Sequence, residues 1–236
     1  VNSSFSTAPQ LLAVATAVPG NVIEQAQAAT MARTFFGERL AGYDALSRVF
    51  ASTGIERRYA VEPLSWFAEP HAWPDRTAAY LSGAARLFAE VMTKALAAAA
   101  LDARDIDAVI TVSSTGIATP SLEARVLPQL GFRPGVRRIP IFGLGCAGGV
   151  TGLATAARIA ASEPGTTVLL VTIELCTLAF RLDRATKPDV VSAALFGDGA
   201  AAAILRCGDG PAIGRIRGAA EHLWPDTVDI MGWATA

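Results

Sequence analysis

The 236-residue chain carries 20 Lys and Arg against 21 Asp and Glu, a net charge of −1, so no field draws it to nucleic acid or an anionic membrane. Hydrophobic residues make up 52% of it and charged residues 17%, which is apolar for a soluble chain. It nevertheless lacks the run of about 18 apolar residues that a membrane span needs: the richest stretch, Cys146–Ala161, is mostly Ala and Gly and is broken by Arg158. The surplus apolar surface is expected to meet other protein, a second half or a partner subunit. Val1–Ala8 has no charged segment followed by an apolar one, so no secretory signal is expected. Cys146, Cys176 and Cys207 are odd in number and lack metal-ligand spacing, which points to a reducing compartment, the cytoplasm, and away from a disulfide framework.

In chain order, strand-like and helix-like segments alternate, the pattern of an α/β fold. Leu11–Ala17 reads as a buried strand stopped by Pro19-Gly20, and Glu24–Phe36 as a helix closed by Gly37. Asp75 stands at an N-cap position before a long helix, with Leu81, Ala85, Phe88 and Met92 on one face and Lys94 in the last turns. Ala108–Val112 is a strand that empties into Ser113-Ser-Thr-Gly116, and Arg138–Phe142 is another. Arg133, Arg137 and Arg138 form the densest basic patch, beside a Pro-Gly turn, and read as a solvated turn. Ala147–Ala161 is a small-residue helix closing before Pro164-Gly165. Thr167–Ile173 and Ala200–Leu205 are strands, the second after an expected tight turn at Gly197-Asp-Gly199. This order suits parallel strands with helical crossovers.

Ile139-Pro-Ile-Phe-Gly-Leu-Gly-Cys-Ala-Gly-Gly149 carries the chemistry. A strand runs into a glycine turn, presents one cysteine and continues as a helix. A thiol at a helix N-terminus faces the positive end of the dipole and free backbone N–H groups, which favours the reactive thiolate. Thiolates hold acyl groups as thioesters. Gly148 and Gly149 are expected to let other backbone or a bulky acyl-CoA approach closely. On residue pattern alone, a buried structural cysteine remains the competing reading.

The Gly-Leu-Gly-Cys-Ala-Gly-Gly segment with its Ala-rich helix resembles the nucleophile motif of type III (chalcone synthase-like) polyketide synthases, which are thiolase-fold condensing enzymes. Thr53-Gly-Ile-Glu-Arg-Arg-Tyr59, Ser113-Ser-Thr-Gly-Ile117 and Leu195-Phe-Gly-Asp-Gly-Ala200 resemble that family's successive landmarks, in order and at matching spacing, from about Leu11 to Trp233. The resemblance implies the amino-terminal half of a five-layer αβαβα fold: a mixed, mainly parallel sheet covered by helices. It implies Cys146 as the nucleophile, Phe196 as the aromatic gate between a CoA tunnel and the reaction cavity, and Ser114 and Thr119 as cavity-loop positions, Thr119 where a dimer partner is reached. Cys176 and Ala179 match cavity-lining places that hold threonines in plant chalcone synthases. Arg48 matches an arginine that contacts CoA phosphate, although Ala45 and Ser52 replace two lysines of plant members.

The implied substrates are acyl-CoA and malonyl-CoA, in a homodimer without metal, flavin or nicotinamide. The family's catalytic His and Asn lie in a carboxy-terminal half. His71 and His222 lack the glycine-flanked context of that His and read as packing or surface residues. The sequence stops at Met231-Gly-Trp233 and Ala234-Thr-Ala236, and residues 1–236 are therefore expected to be an amino-terminal half, inactive alone. Two readings compete. A ketoacyl-ACP synthase III shares the fold and nucleophile, but Gly148-Gly149 and the lack of a basic docking surface count against it. A fragment that only dimerises is the alternative from another class.

Overall fold

The computed structural model describes residues 2–5 and 7–232, so Trp233 and Ala234–Ala236 lie outside the described residues. The first half runs β1 (Asn2–Ser4), β2 (Gln10–Ala17), β3 (Asn21–Glu24), α1 (Gln25–Phe36), α2 (Tyr43–Leu46), α3 (Val49–Ser52), β4 (Arg57–Ala60) and α4 (Trp73–Ala99). Then come β5 (Ala108–Val112), α5 (Leu122–Val126), β6 (Arg137–Ile141), α6 (Gly148–Ser162) and β7 (Thr167–Leu175). The chain closes with α7 (Lys187–Leu195), β8 (Asp198–Arg206), β9 (Gly214–Arg215) and β10 (Gly218–Ala220).

The central sheet has the order β6-β5-β7-β8-β2-β9. β5 is parallel to both β6 and β7, while β8 runs against β7 and β2. Thus β2, β5, β6 and β7 share one direction and β8 and β9 oppose it, a mixed sheet whose strands mostly point one way. All five residues of β5 are buried, as a strand covered on both faces requires. Side chains alternate between two cores. Val109, Leu169, Val171, Ile173, Ala202 and Ile204 pack under α4, whereas Ala108, Ile110, Val168, Leu170 and Leu205 pack under α6. A helical lobe beside the sheet joins α1, α2, α3 and α7 around Phe36, Tyr43, Phe50 and Val190. Among the described residues no helix is long and apolar enough to cross a membrane.

Three expectations shift. α4 begins two residues before Asp75, whose carboxylate accepts a hydrogen bond from the Ala72 N–H at 3.1 Å from within the first turn. Its buried stripe is Tyr80, Ala84, Leu87, Val91 and Ala95 with Phe88 and Met92, and Leu81 and Ala85 sit on its flank. The helix is apolar over so much of its circumference that the pattern does not locate the centre of the stripe, and the fully buried Ala84 and Ala95 mark the close approach to the sheet. Asp198 and Gly199 are already part of β8, paired with Leu175 and Glu174, rather than a tight turn.

Candidate active site

β5, β6 and β7 end side by side, since Val112 pairs with both Ile141 and Thr172, and β8 starts at Asp198 opposite Leu175. The loops after residues 112, 141 and 175 therefore open at one end of the sheet, the carboxyl end of its parallel strands, where α/β folds place their ligand sites.

Cys146 stands in the loop after β6, the edge strand of the sheet. Gly143 (φ +85°) and Gly145 (φ +51°) take the left-handed conformation that side-chain-bearing residues avoid. They turn the chain into a 3₁₀ turn, Gly145–Ala147, that presents Cys146 to solvent. α6 starts one residue later than expected, at Gly148, so Cys146 lies just ahead of the α-helix. The flanking glycines work inside the protein. A Cβ at Gly148 would lie 2.5 Å from Val112 Cγ1, and one at Gly152 2.7 Å from Leu170 Cδ1, so both let α6 seat on the sheet. Gly149 meets only an ordinary contact with Thr172. Gly148 was expected to admit other backbone or an acyl-CoA, and its close neighbour is the Val112 side chain instead.

Ser114 braces the Cys146 loop. It is buried, and its Oγ accepts from the Gly145 N–H at 3.0 Å. Its own N–H donates to the Glu174 carboxylate at 2.9 and 3.1 Å. Thr115 completes the link, because its Oγ1 accepts from the Leu175 N–H at 2.8 Å. Burial raises the Glu174 pKa, only partly offset by hydrogen bonds from Thr115 and Ser114. Sequence reasoning missed Glu174. Its signal was an acid at the end of the apolar run Thr167–Ile173, since a carboxylate entering a buried strand needs partners.

The sign of the Glu174 effect on stability comes from linkage. Its folded pKa lies above its unfolded one, so its contribution is fully present below the unfolded value and is lost as pH rises through the folded value. Buried Asp198 has a raised pKa, also from burial, and acts in the same direction. Glu174→Gln is expected to flatten the decline in stability between the ordinary carboxylate range and neutrality, read as urea midpoints across pH. An unchanged profile would refute the assignment.

Beyond β7, the 3₁₀ turn Cys176–Ala179 forms the adjoining wall. Cys176 is half-buried and its thiol pKa is pushed up to about 12, first by burial and then by the nearby carboxylates of Glu174 and Asp198. Ala179 is exposed. The turn is held by Asp198, which accepts from Thr177 N–H at 2.8 Å and Thr177 Oγ1 at 2.7 Å, and by Arg76, which donates to the Leu178 carbonyl. Asp198 also accepts from the Val61 N–H at 2.8 Å. Sequence reasoning quoted this aspartate only as part of a glycine motif, yet it ties three segments together.

Phe196 is half-buried at the C-cap of α7, two residues before Asp198. Thr119 is exposed on the loop after β5. Arg48 lies in the helical lobe beside the sheet. It is exposed at the start of α3, donates to the Ala45 carbonyl at 3.2 Å, and belongs to the lobe in which α3 packs on α7. His71 is a packing residue, stacked on Trp66 at 3.7 Å with Nε2 2.9 Å from the Trp66 carbonyl. His222 is exposed and meets Trp224 edge-on. Arg133 pairs with Asp107 at 2.5 Å and Arg137 with Glu163 at 2.7 Å, as expected of a solvated turn. Phe142, Leu144 and Val150, which flank Cys146 in sequence, are exposed, as is Ile117 on the neighbouring loop.

A mixed sheet between helical layers, with a cysteine turn at the carboxyl ends of its parallel strands, is the thiolase-like architecture of condensing enzymes. Residues 3–211 match the family model "Chalcone and stilbene synthases, N-terminal domain". The chain belongs to that family, the type III polyketide synthases. It is 36% identical over 228 residues to 1,3,6,8-tetrahydroxynaphthalene synthase of Streptomyces peucetius, covering 94% of this chain and 59% of that enzyme. It is 32% identical over 202 residues to an alpha-pyrone synthesis polyketide synthase-like protein of Mycobacterium tuberculosis, covering 81% and 50%.

Among solved structures, 1,3,6,8-tetrahydroxynaphthalene synthase of Streptomyces coelicolor aligns with a TM-score of 0.82 at 32% identity, over 86% of this chain and 58% of that one. Germicidin synthase of Streptomyces coelicolor shares the fold, with a TM-score of 0.89 at 24% identity over 95% and 66%. The chain thus spans about three fifths of the length of the relatives it matches.

Proposed function

We propose that Cys146 takes the acyl group of an acyl-CoA starter as a thioester, and that this chain is the nucleophile-bearing half of a type III polyketide synthase. The thiolate attacks the acyl-CoA carbonyl and CoA leaves as its thiolate. Malonyl-CoA then loses CO₂, and its enolate carbon bonds to the acyl carbonyl while Cys146 departs, leaving an acyl-CoA two carbons longer. The observation that carries this reading is the contrast among the three cysteines. Cys146 is exposed on a braced turn at the ligand end of the sheet, while burial raises the pKa of both Cys176 and Cys207.

The enolate needs hydrogen-bond donors where its negative charge develops. In our reading the carboxy-terminal half supplies them as a His–Asn pair, because His71 is packed and bonded against Trp66 and His222 is exposed beside Trp224 at the far end of the chain. The same half and a second copy of the protein would cover the apolar residues around Cys146, giving a homodimer reached through Thr119. Arg48 would meet CoA phosphate, and Phe196 would separate the CoA tunnel from the cavity. The 236-residue chain alone is then expected to self-acylate slowly at Cys146, to associate in light scattering, and to release no polyketide. Intact mass and product analysis with acyl-CoA and malonyl-CoA test this, and robust product from the chain alone would overturn the half-enzyme reading.

The wall suggests the starter. Where a threonine would place a hydroxyl, Cys176 offers a neutral thiol and Ala179 a methyl, so neither position supplies a hydroxyl and Ala179 takes less volume. An aliphatic tail gains about 0.8 kcal/mol for each CH₂ removed from water, whereas a phenolic ring finds no polar anchor at these two positions. We propose a medium- or long-chain fatty acyl-CoA starter. With the full-length protein, lauroyl- or palmitoyl-CoA is expected to outcompete coumaroyl-CoA, and Ala179→Trp is expected to shorten the preferred chain. Preference for coumaroyl-CoA, or an unchanged profile in the tryptophan variant, would reject the fatty starter.

A further inference from the structure

Arg58 lies outside the groups assigned to the reaction. It stands on β4 and is 7% exposed, and among the described residues no carboxylate forms an ion pair with it. The two terminal nitrogens of its guanidinium are spent on the last turn of α7, on Phe196 and on Gln25, while the buried Nε has no hydrogen-bond partner. Nη1 donates to the carbonyls of Ala193 and Phe196, the latter at 3.3 Å, and Nη2 to the Ala194 carbonyl at 2.8 Å and to Gln25 Oε1. Gln25 is buried too, and its Nε2 donates to the carbonyls of Phe50 and Ala194 at 3.1 Å and to Thr53 Oγ1 at 3.2 Å.

A buried charge without a counter-ion is costly, and burial lowers the Arg58 pKa accordingly. What offsets it is the negative end of α7, whose last carbonyls would otherwise lack donors.

The residue after Phe196 is held by the same side chain. A Cβ on Gly197 would stand 3.0 Å from Arg58 Cβ and 3.4 Å from the Tyr59 carbonyl oxygen. Asp198 is then anchored by the Val61 N–H just past the end of β4. The backbone is therefore clamped to one short strand before, at and after Phe196. This is more than a helix cap needs, and its centre is Phe196, two residues ahead of Asp198.

We propose that Arg58 is a positioning residue that fixes where Phe196 stands and thereby sets the length of starter acyl chain that passes it; the inference rests on the reading of Phe196 as the wall between CoA tunnel and cavity. The ammonium of Arg58→Lys reaches fewer of these carbonyls than the forked guanidinium does, and Arg58→Met reaches none. Gly197→Ala displaces the same peptide by contact and leaves the charge in place.

The test uses the full-length protein with hexanoyl- and lauroyl-CoA. Arg58→Met and Gly197→Ala are each expected to change the ratio of kcat/KM between the two starters by about threefold or more, with Arg58→Lys intermediate. Cys146 is expected to remain alkylated by iodoacetamide, a reagent far smaller than either starter, in all three variants. If Arg58 only stabilises the fold, the variants lose thermal stability and lower both starters by one common factor, and an unchanged ratio in Arg58→Lys and Gly197→Ala overturns the proposal even where Arg58→Met fails to fold. Phe196→Ala separates the two readings. An unchanged ratio there rejects Phe196 as the wall, whereas a changed ratio there with none in the other variants rejects Arg58 alone.

Discussion

Replacing Cys146 by Ala in the full-length protein will abolish the acyl-enzyme and lower product formation by at least about three orders of magnitude, the scale on which losing a covalent nucleophile is felt. No neighbouring thiol can take over. With its pKa at about 12, Cys176 is thiolate in only on the order of one part in 10⁴ to 10⁵ near neutral pH. Cys207 is remote, contacting the Thr7 carbonyl at 3.8 Å, and burial raises its pKa as well. Brief iodoacetamide treatment and peptide mapping should therefore find Cys146 labelled first, and intact mass with an acyl-CoA should show an adduct that the alanine variant lacks. Preferential labelling of Cys207 in the folded protein, or a persistent acyl adduct in Cys146→Ala, would remove Cys146 from the mechanism.

Asp198→Ala should have the largest effect on stability among the site residues, about 2–5 kcal/mol. Three donors converge on that buried carboxylate, the N–H groups of Val61 and Thr177 and the Thr177 hydroxyl. Removing the acceptor leaves them desolvated and unpaired, and the methyl group does not fill the space. For a chain of this size the melting temperature should fall by about 5–15 °C. Asp198→Asn keeps the shape and one acceptor oxygen, and should recover much of the loss. The wall from Cys176 to Ala179 hangs on the same carboxylate, so Asp198→Ala should also broaden starter selectivity at temperatures where it remains folded. A melting temperature within a degree or two of the parent protein would show that water can replace this hub.

The local chain determined what depends on near neighbours. Alternating apolar runs and glycine breaks in the sequence locate β2, β5, β7, β8 and α6 to within a residue or two, because period and turn chemistry act over a few positions. The glycines around Cys146 specify a turn that only residues tolerant of positive φ can make, so the turn that presents Cys146 was legible from its own segment. The reading of Cys146 as a nucleophile came from the resemblance of the motif to the family. The tertiary structure alone decided what depends on distant partners. Glu174 reaches Ser114 across 60 positions, Asp198 reaches Val61 across 137, and Arg58 reaches Ala194 across 136. A buried polar group is tolerable only when donors and acceptors meet it, and sequence spacing does not record which distant carbonyl will do so. The same limit hid the purpose of Gly148, since nothing near it in the chain announces that Val112 will pack against it. Cys146 could be found by reading along the chain, but the carboxylates and the guanidinium that hold its surroundings in place became visible only once the sheet had brought them together.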